Sequence, residues 1–285
     1  MINNVLLRAW EALVNPKIRL KADFPWGFGT MAKQYVIASL LYIIGSIVPV
    51  FAFLFVLAAL AVLKPDLASG LLGPAGQPNI AAIIIPVILS FICGFGLELW
   101  YIRRWFHKQG LSLRQSMGLN LDSLGGSWWA AIWRVLVAFG LVLALEQGLN
   151  LLPLPEAHDP AAEFAKSLGG WAFFAFAALA VIGAPLFEEF VYRGFLFNVC
   201  RTSFRQGRLG KLFRTERAAD YAAMAVSAAF FAAGHLTLTG FPALFVMGML
   251  LAALYRRSGT LICPMLLHAL NNLFAVVLIY VKFIA

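Results

Sequence analysis

Residues 184–199 read APLFEEFVYRGFLFNV, and whether this stretch lies in lipid or in water decides the fold. It sits in an apolar run from about 170 to 200, interrupted by Glu188, Glu189 and Arg193. A membrane helix needs about 20 predominantly apolar residues, so the run is long enough to span if its charges turn inward. The rest of the chain agrees. Its 285 residues are 62% hydrophobic and 12% charged, with 25 Phe and 8 Trp, and the mean hydropathy is +0.84. Soluble domains average about 45–50% apolar and about 25% charged. The composition therefore excludes an ordinary water-soluble enzyme and a disordered protein.

Further apolar spans fall at about 35–63, 80–102, 129–149, 219–239, 241–255 and 260–281. The expected fold is an all-α integral membrane protein of about seven transmembrane helices, with a range of six to eight. The expected organisation is a cytoplasmic or interfacial segment over 1–34, transmembrane helices over 35–169 that carry no motif, and a four-helix catalytic core over 170–285. The first segment is not a signal peptide, because Arg8, Glu11, Lys17, Arg19, Lys21 and Asp23 break up any apolar run.

Charge orients the spans. Loop 103–127 holds Arg103, Arg104, Lys108 and Arg114, and loop 201–218 holds Arg201, Arg205, Arg208, Lys211, Arg214 and Arg217. Loop 64–79 has Lys64, and loop 150–169 sets Lys166 against Glu156, Asp159 and Glu163. Alternate loops are basic, which puts the N-terminus in the cytoplasm by the positive-inside rule. The net charge of +9 then reflects loops facing anionic lipid, and no nucleic-acid partner is expected. The amphipathic, basic stretch 201–217 reads as a lipid-facing anchor. Cys93, Cys200 and Cys263 are far apart and read as packing residues.

Charge at bilayer depth is costly and marks function by default. Glu98, followed by Arg103 and Arg104, reads as a snorkelling or paired residue near a helix end. Glu189 and Arg193 are four apart with the acid first, the favourable order for an ion pair. Glu188 points about 100° away on an α-helix. Burial and the nearby Arg193 pull it in opposite directions, which suits a general base. Of the four histidines, His107 and His158 fall in loops, while His235 and His268 fall in spans. Phe231 and His235 share a helix face, as do His268 and Asn272. If the helix of His235 starts at 219, that residue lies about 24 Å in, so the helix is expected to tilt or project to bring it level with Glu188.

Polar groups on three helices must find one another or water in hydrocarbon. A base, a histidine and side-chain donors are the parts needed to add water to an amide. Glu188 would take the proton, His235 would position the water, and His268 and Asn272 would stabilise the oxyanion. Glu189 and Arg193 would hold and tune Glu188. The same groups also suit zinc, with Glu188, His235 and His268 as ligands. Metal-free hydrolysis is favoured, since Asn272 is a poor zinc ligand and a good amide donor. The competing readings are a non-catalytic binding protein using the same cavity and a proton-coupled transporter. The transporter predicts broken helices in both halves, whereas the polar spans lie in the C-terminal half.

Glu188-Glu189-x-x-x-Arg193, Phe231-x-x-x-His235 and His268-x-x-x-Asn272, in that order, resemble the CPBP intramembrane protease family. That family includes the type II CAAX prenyl endopeptidases and bacteriocin-processing and immunity proteins. The resemblance covers about 170–281. It implies a helical membrane fold with a conical cavity open to the cytoplasm, and endoproteolysis by glutamate-activated water, with these residues in the roles above. It also implies a peptide or membrane-protein substrate, lipidated in some relatives, with membrane lipids as surroundings and no cofactor unless zinc. The short basic loops look bacterial, so the expected location is a bacterial cytoplasmic membrane.

Overall fold

The computed structural model describes residues 26, 28–73, 80–124, 126–150, 160–168, 170–206, 210–213 and 215–284. Most of the N-terminal segment expected at the interface lies outside the described residues, as do Glu156, His158, Asp159, Arg208 and Arg214. Every regular element among the described residues is helical. The helices are α1 (Phe28–Leu63), α2 (Pro65–Leu72), α3 (Ile80–Lys108), α4 (Leu113–Ser116), α5 (Trp128–Asn150) and α6 (Pro160–Ser167). They continue with α7 (Gly170–Arg205), α8 (Glu216–Gly234), α9 (Phe241–Ser258) and α10 (Ile262–Phe283). Local chemistry sets several ends. Thr215 caps α8 by accepting from the Ala218 N–H at 3.1 Å. Pro242 opens α9, and Gly259 closes it in the left-handed region.

Five stretches are long and apolar enough to cross a membrane: Gly29–Leu63, Ile84–Lys108, Trp128–Gly148, Gly170–Arg205 and Ile262–Phe283. The chain thus has the make-up of an integral membrane protein. The other two spans read from sequence correspond to α8 and α9, which carry Glu216, Arg217 and Asp220, and Arg256 and Arg257. Large apolar side chains stand exposed along α1, among them Val48, Phe51, Phe55 and Val62, where lipid would cover them. Trp128, Trp129 and Trp133 are exposed at the start of α5, a position suited to an interfacial aromatic belt.

α1 and α3 pack along one another, and their approach is set by glycine. A Cβ on Gly45 would lie 2.8 Å from the Cys93 carbonyl oxygen. One on Gly94 would lie 2.8 Å from the Tyr42 carbonyl oxygen and would collide with Ser46 Oγ. Small residues at a crossing let membrane helices come this close. The pair docks on α7 through rings: Tyr42 stacks on Phe187 at 4.6 Å, and Phe95 meets Phe187 edge-on at 5.2 Å. On its other side α7 packs against α8 and α9.

α7 is continuous but leaves α winding twice. Leu179–Gly183 and Glu189–Phe197 follow i→i+5 geometry, with Ala184–Glu188 α-helical between them. Such π stretches are uncommon and recur at functional sites. Glu188 is the last residue of the α portion and Glu189 the first of the longer π stretch.

Part of the stretch 201–217 differs from its reading as a lipid-facing anchor. Arg201 and Arg205 turn inward, and with Arg256 of α9 they surround Asp220. Arg205 Nε donates to Asp220 Oδ1 at 2.8 Å, and Arg256 Nε donates to Oδ2 at 2.6 Å. Asp220 is 1% exposed. A carboxylate buried to that degree requires cations, and this requirement overrides the helix's amphipathic preference for lipid.

Candidate active site

Glu188 and His235 face one cavity of about 350 Å³. α7 supplies Phe187, Glu188, Val191 and Tyr192, and the end of α8 supplies Gly234 and His235. Glu188 is half-buried, and its Oε2 is shut off from solvent without a hydrogen-bond partner. His235 is the residue at which α8 stops. Its Nδ1 lies 2.9 Å from the Phe231 carbonyl oxygen. A carbonyl only accepts, so Nδ1 carries the hydrogen, and neutral His235 keeps its lone pair on Nε2. Leu236 follows with φ +53, a left-handed conformation that costs a branched side chain about 1–2 kcal/mol. That turn ends the helix and leaves the imidazole at the cavity rim.

Behind the cavity lies a buried network. Glu189 is fully buried, and its Oε1 accepts from Arg193 Nη1 at 2.7 Å and from His268 Nδ1 at 2.9 Å. Arg193, also fully buried, donates through Nη2 to the Gly248 carbonyl at 3.2 Å. α9 comes near enough for this because Gly248 has no side chain: a Cβ there would lie 2.9 Å from Ala228 of α8. The Phe231 ring touches Arg193, His235 and His268, with the guanidinium 4.4 Å from its centre and the imidazoles at 4.8 and 5.6 Å. One aromatic ring thus separates the cavity histidine from the network histidine.

Asn272 sits one turn beyond His268 and donates from Nδ2 to the Ala180 carbonyl at 2.8 Å. The reason is local. In the π stretch the i→i+5 partner of Ala180 is Pro185, which has no N–H, and the Ala184 N–H is taken by Leu179. Asn272 supplies the missing donor.

Of the six residues singled out from sequence, Glu188 and His235 line the cavity, while Glu189, Arg193 and His268 form the network behind it. Asn272 clamps α10 to α7. His268 and Asn272 do not line the cavity. Among the described residues no three His, Cys, Asp or Glu are grouped as a metal ion requires. The zinc set of Glu188, His235 and His268 is divided between the cavity and the network, so no step through a metal is derived.

The sequence reading missed Glu98. It is not a snorkelling residue: it is 2% exposed and lines the same cavity, with Oε2 unpartnered. Tyr35, Ser39, Tyr42 and Ile43 of α1 complete that wall. A signal was present, since Glu98 stands one turn from Gly94, and the side of a helix that carries a crossing glycine faces a neighbour.

No curated protein and no solved structure matches the chain. Residues 170–274, which contain all six residues above, match the family model described as type II CAAX prenyl endopeptidase, Rce1-like, and this supports the resemblance to the CPBP intramembrane proteases.

Proposed function

We propose that this chain is an intramembrane endopeptidase that hydrolyses a peptide bond of a membrane-associated or lipid-modified, CAAX-like protein or peptide in a bacterial cytoplasmic membrane. The observation that carries the reading is the shared cavity that Glu188 and His235 both line, with His235 Nδ1 committed to the Phe231 carbonyl and its Nε2 left to a further partner. The similarity of residues 170–274 to a protease family supports it.

Glu188 takes a proton from water as the oxygen attacks the amide carbon, and then delivers that proton to the leaving nitrogen. His235 accepts a hydrogen bond from the same water through Nε2 and aims it. Oxyanion stabilisation by His268 and Asn272 requires the reacting carbonyl to reach past the present cavity wall, since neither side chain lines it. Because Nδ1 of His268 is committed to Glu189, Nε2 donates when the ring is an imidazolium. Asn272 has a second amide hydrogen beyond the one given to Ala180. Glu189 and Arg193 act as positioning residues.

One observation favours a second reading, a binding or immunity protein without catalysis: both oxyanion candidates already make structural hydrogen bonds. The test is cleavage of a farnesylated CAAX peptide by reconstituted protein, wild type against Glu188→Gln, with and without chelator. The hydrolase reading expects a loss of about 10²–10⁴-fold in the variant and no chelator effect. Activity lost to chelator moves the mechanism to zinc. An unchanged cellular phenotype in Glu188→Gln, together with no cleavage by either protein, supports the binding reading.

A further inference from the structure

The wall of the cavity opposite α7 comes from α1 and α3, outside the segment similar to the proteases. Its charge is Glu98. This side chain lies with Ile102 and Phe106 on the buried stripe of α3. The cations nearest in sequence lie elsewhere: Arg103 and Arg104 are exposed, and the Arg104 guanidinium lies 5.9 Å over Trp100. Glu98 Oε2 is buried without a hydrogen-bond partner, as is Oε2 of Glu188. Tyr35, Ser39 and Tyr42 line the same wall. Among the described residues, no lysine or arginine lines this cavity, in a chain with a net charge of +9.

An ionised carboxylate buried without a cation is costly, and exposed positions adjoin it at Leu97 and Trp100. Catalysis as proposed uses one carboxylate, Glu188, so Glu98 is surplus to it. Two carboxylate side chains lining one cavity repel phosphate or a terminal carboxylate and attract a cationic group that enters with the ligand.

We propose that Glu98 is a specificity-determining residue whose carboxylate receives a lysine or arginine side chain of the peptide held in the cavity, close to the bond presented to Glu188. The inference rests on the endopeptidase reading for the kind of occupant, a peptide, and adds the charge class of that peptide.

The test uses the full chain in detergent micelles as the cleavage-impaired Glu188→Gln protein. The probes are fluorescein-labelled farnesylated hexapeptides identical except for lysine, norleucine or glutamate at one position, scanned along the peptide. At one position lysine should bind at least about tenfold tighter than norleucine, the scale of a buried charge-assisted hydrogen bond. Adding Glu98→Gln should reduce that ratio to near one, and Glu98→Lys should shift the preference to the glutamate peptide. Retained binding of the norleucine peptide and an unchanged melting profile identify folded variants. A lysine preference that survives Glu98→Gln, equal binding at every position, or no saturable binding of the lysine peptides overturns the proposal. So does stabilisation by sodium chloride that depends on Glu98 without any lysine preference, which would assign the site to an inorganic cation. Cleavage of the same peptides by protein with Glu188 intact is read in parallel. A lysine preference without cleavage removes the endopeptidase reading and leaves the Glu98 site, whereas cleavage without a charge preference does the reverse.

Discussion

Arg193→Met should be among the most destabilising single substitutions in this chain, and its size follows from burial. An exposed ion pair four residues apart on a helix is worth about 0.3–0.5 kcal/mol. Glu189 and Arg193 have that spacing, but both are fully buried, with 2.7 Å between Nη1 and Oε1. Removing one partner of a buried pair costs about 3–5 kcal/mol, because the other charge stays behind without compensation. His268 remains as a donor to Glu189 at 2.9 Å, and a hydrogen bond to a charged group retains about 1.5–3 kcal/mol. The expected cost is therefore near the lower end, about 3 kcal/mol. Methionine fills much of the volume under Phe231, so the loss is electrostatic rather than a cavity. Glu189→Gln alone should also cost about 3 kcal/mol by stranding Arg193, whereas Glu189→Gln/Arg193→Met removes both charges and should cost only about 1–2 kcal/mol, giving a coupling of about 4–5 kcal/mol in a double-mutant cycle. Reversible unfolding in mixed micelles titrated with dodecyl sulfate measures all three proteins. A cost below about 1 kcal/mol for Arg193→Met, or a coupling near zero, would refute the reasoning.

Gly94→Leu should force α1 and α3 apart at their closest point and cost about 1–3 kcal/mol. In the same unfolding assay Gly96→Leu, where a Cβ meets nothing within 4 Å, serves as the control and should be near neutral. Asn272→Leu should cost about 1–2 kcal/mol by stranding the Ala180 carbonyl. In a Pro185→Ala background, where an i→i+5 N–H becomes available to that carbonyl, the same substitution should cost measurably less. Equal costs in the two backgrounds would show that the π winding is not what Asn272 serves.

The architecture could be read from sequence where a signal was local. Apolar run lengths located the long helices, and the four-residue spacing of Glu189 and Arg193 gave their ion pair. That pair survives the change of winding because side chains four apart stay neighbours in both α and π geometry. What escaped were contacts between segments far apart in the chain. Arg103 and Arg104 drew Glu98 toward a snorkelling role, yet they lie on a different face of α3 from the stripe of Glu98, Ile102 and Phe106. The basic stretch after α7 looked like a lipid anchor because Asp220, which draws Arg201 and Arg205 inward, belongs to the next helix. The link between His268 and Glu189 spans 79 residues, and no periodicity encodes a partner at that distance.

The two carboxylates of α7 do different work because adjacent residues of a helix point about 100° apart. Here the α portion ends at Glu188, which looks into the cavity, and the π stretch begins at Glu189, which looks into the network. Winding of this kind strains the backbone's own pairing, and in hydrocarbon every stranded carbonyl must be met by protein. Three side chains donate to carbonyls of α7, each at 2.8 Å: Asn272 to Ala180, whose i→i+5 partner is a proline, Ser227 to Tyr192, and Asn198 to Gly194. Two of these come from α10 and α8, the helices that also carry His268 and His235. The bonds that stabilise the irregular helix are therefore the same bonds that bring the two histidine helices to it. The polar residues along α7 are thus a single device, in which helix geometry divides the acids between cavity and network and the bonds to the irregular backbone gather the histidine helices around them.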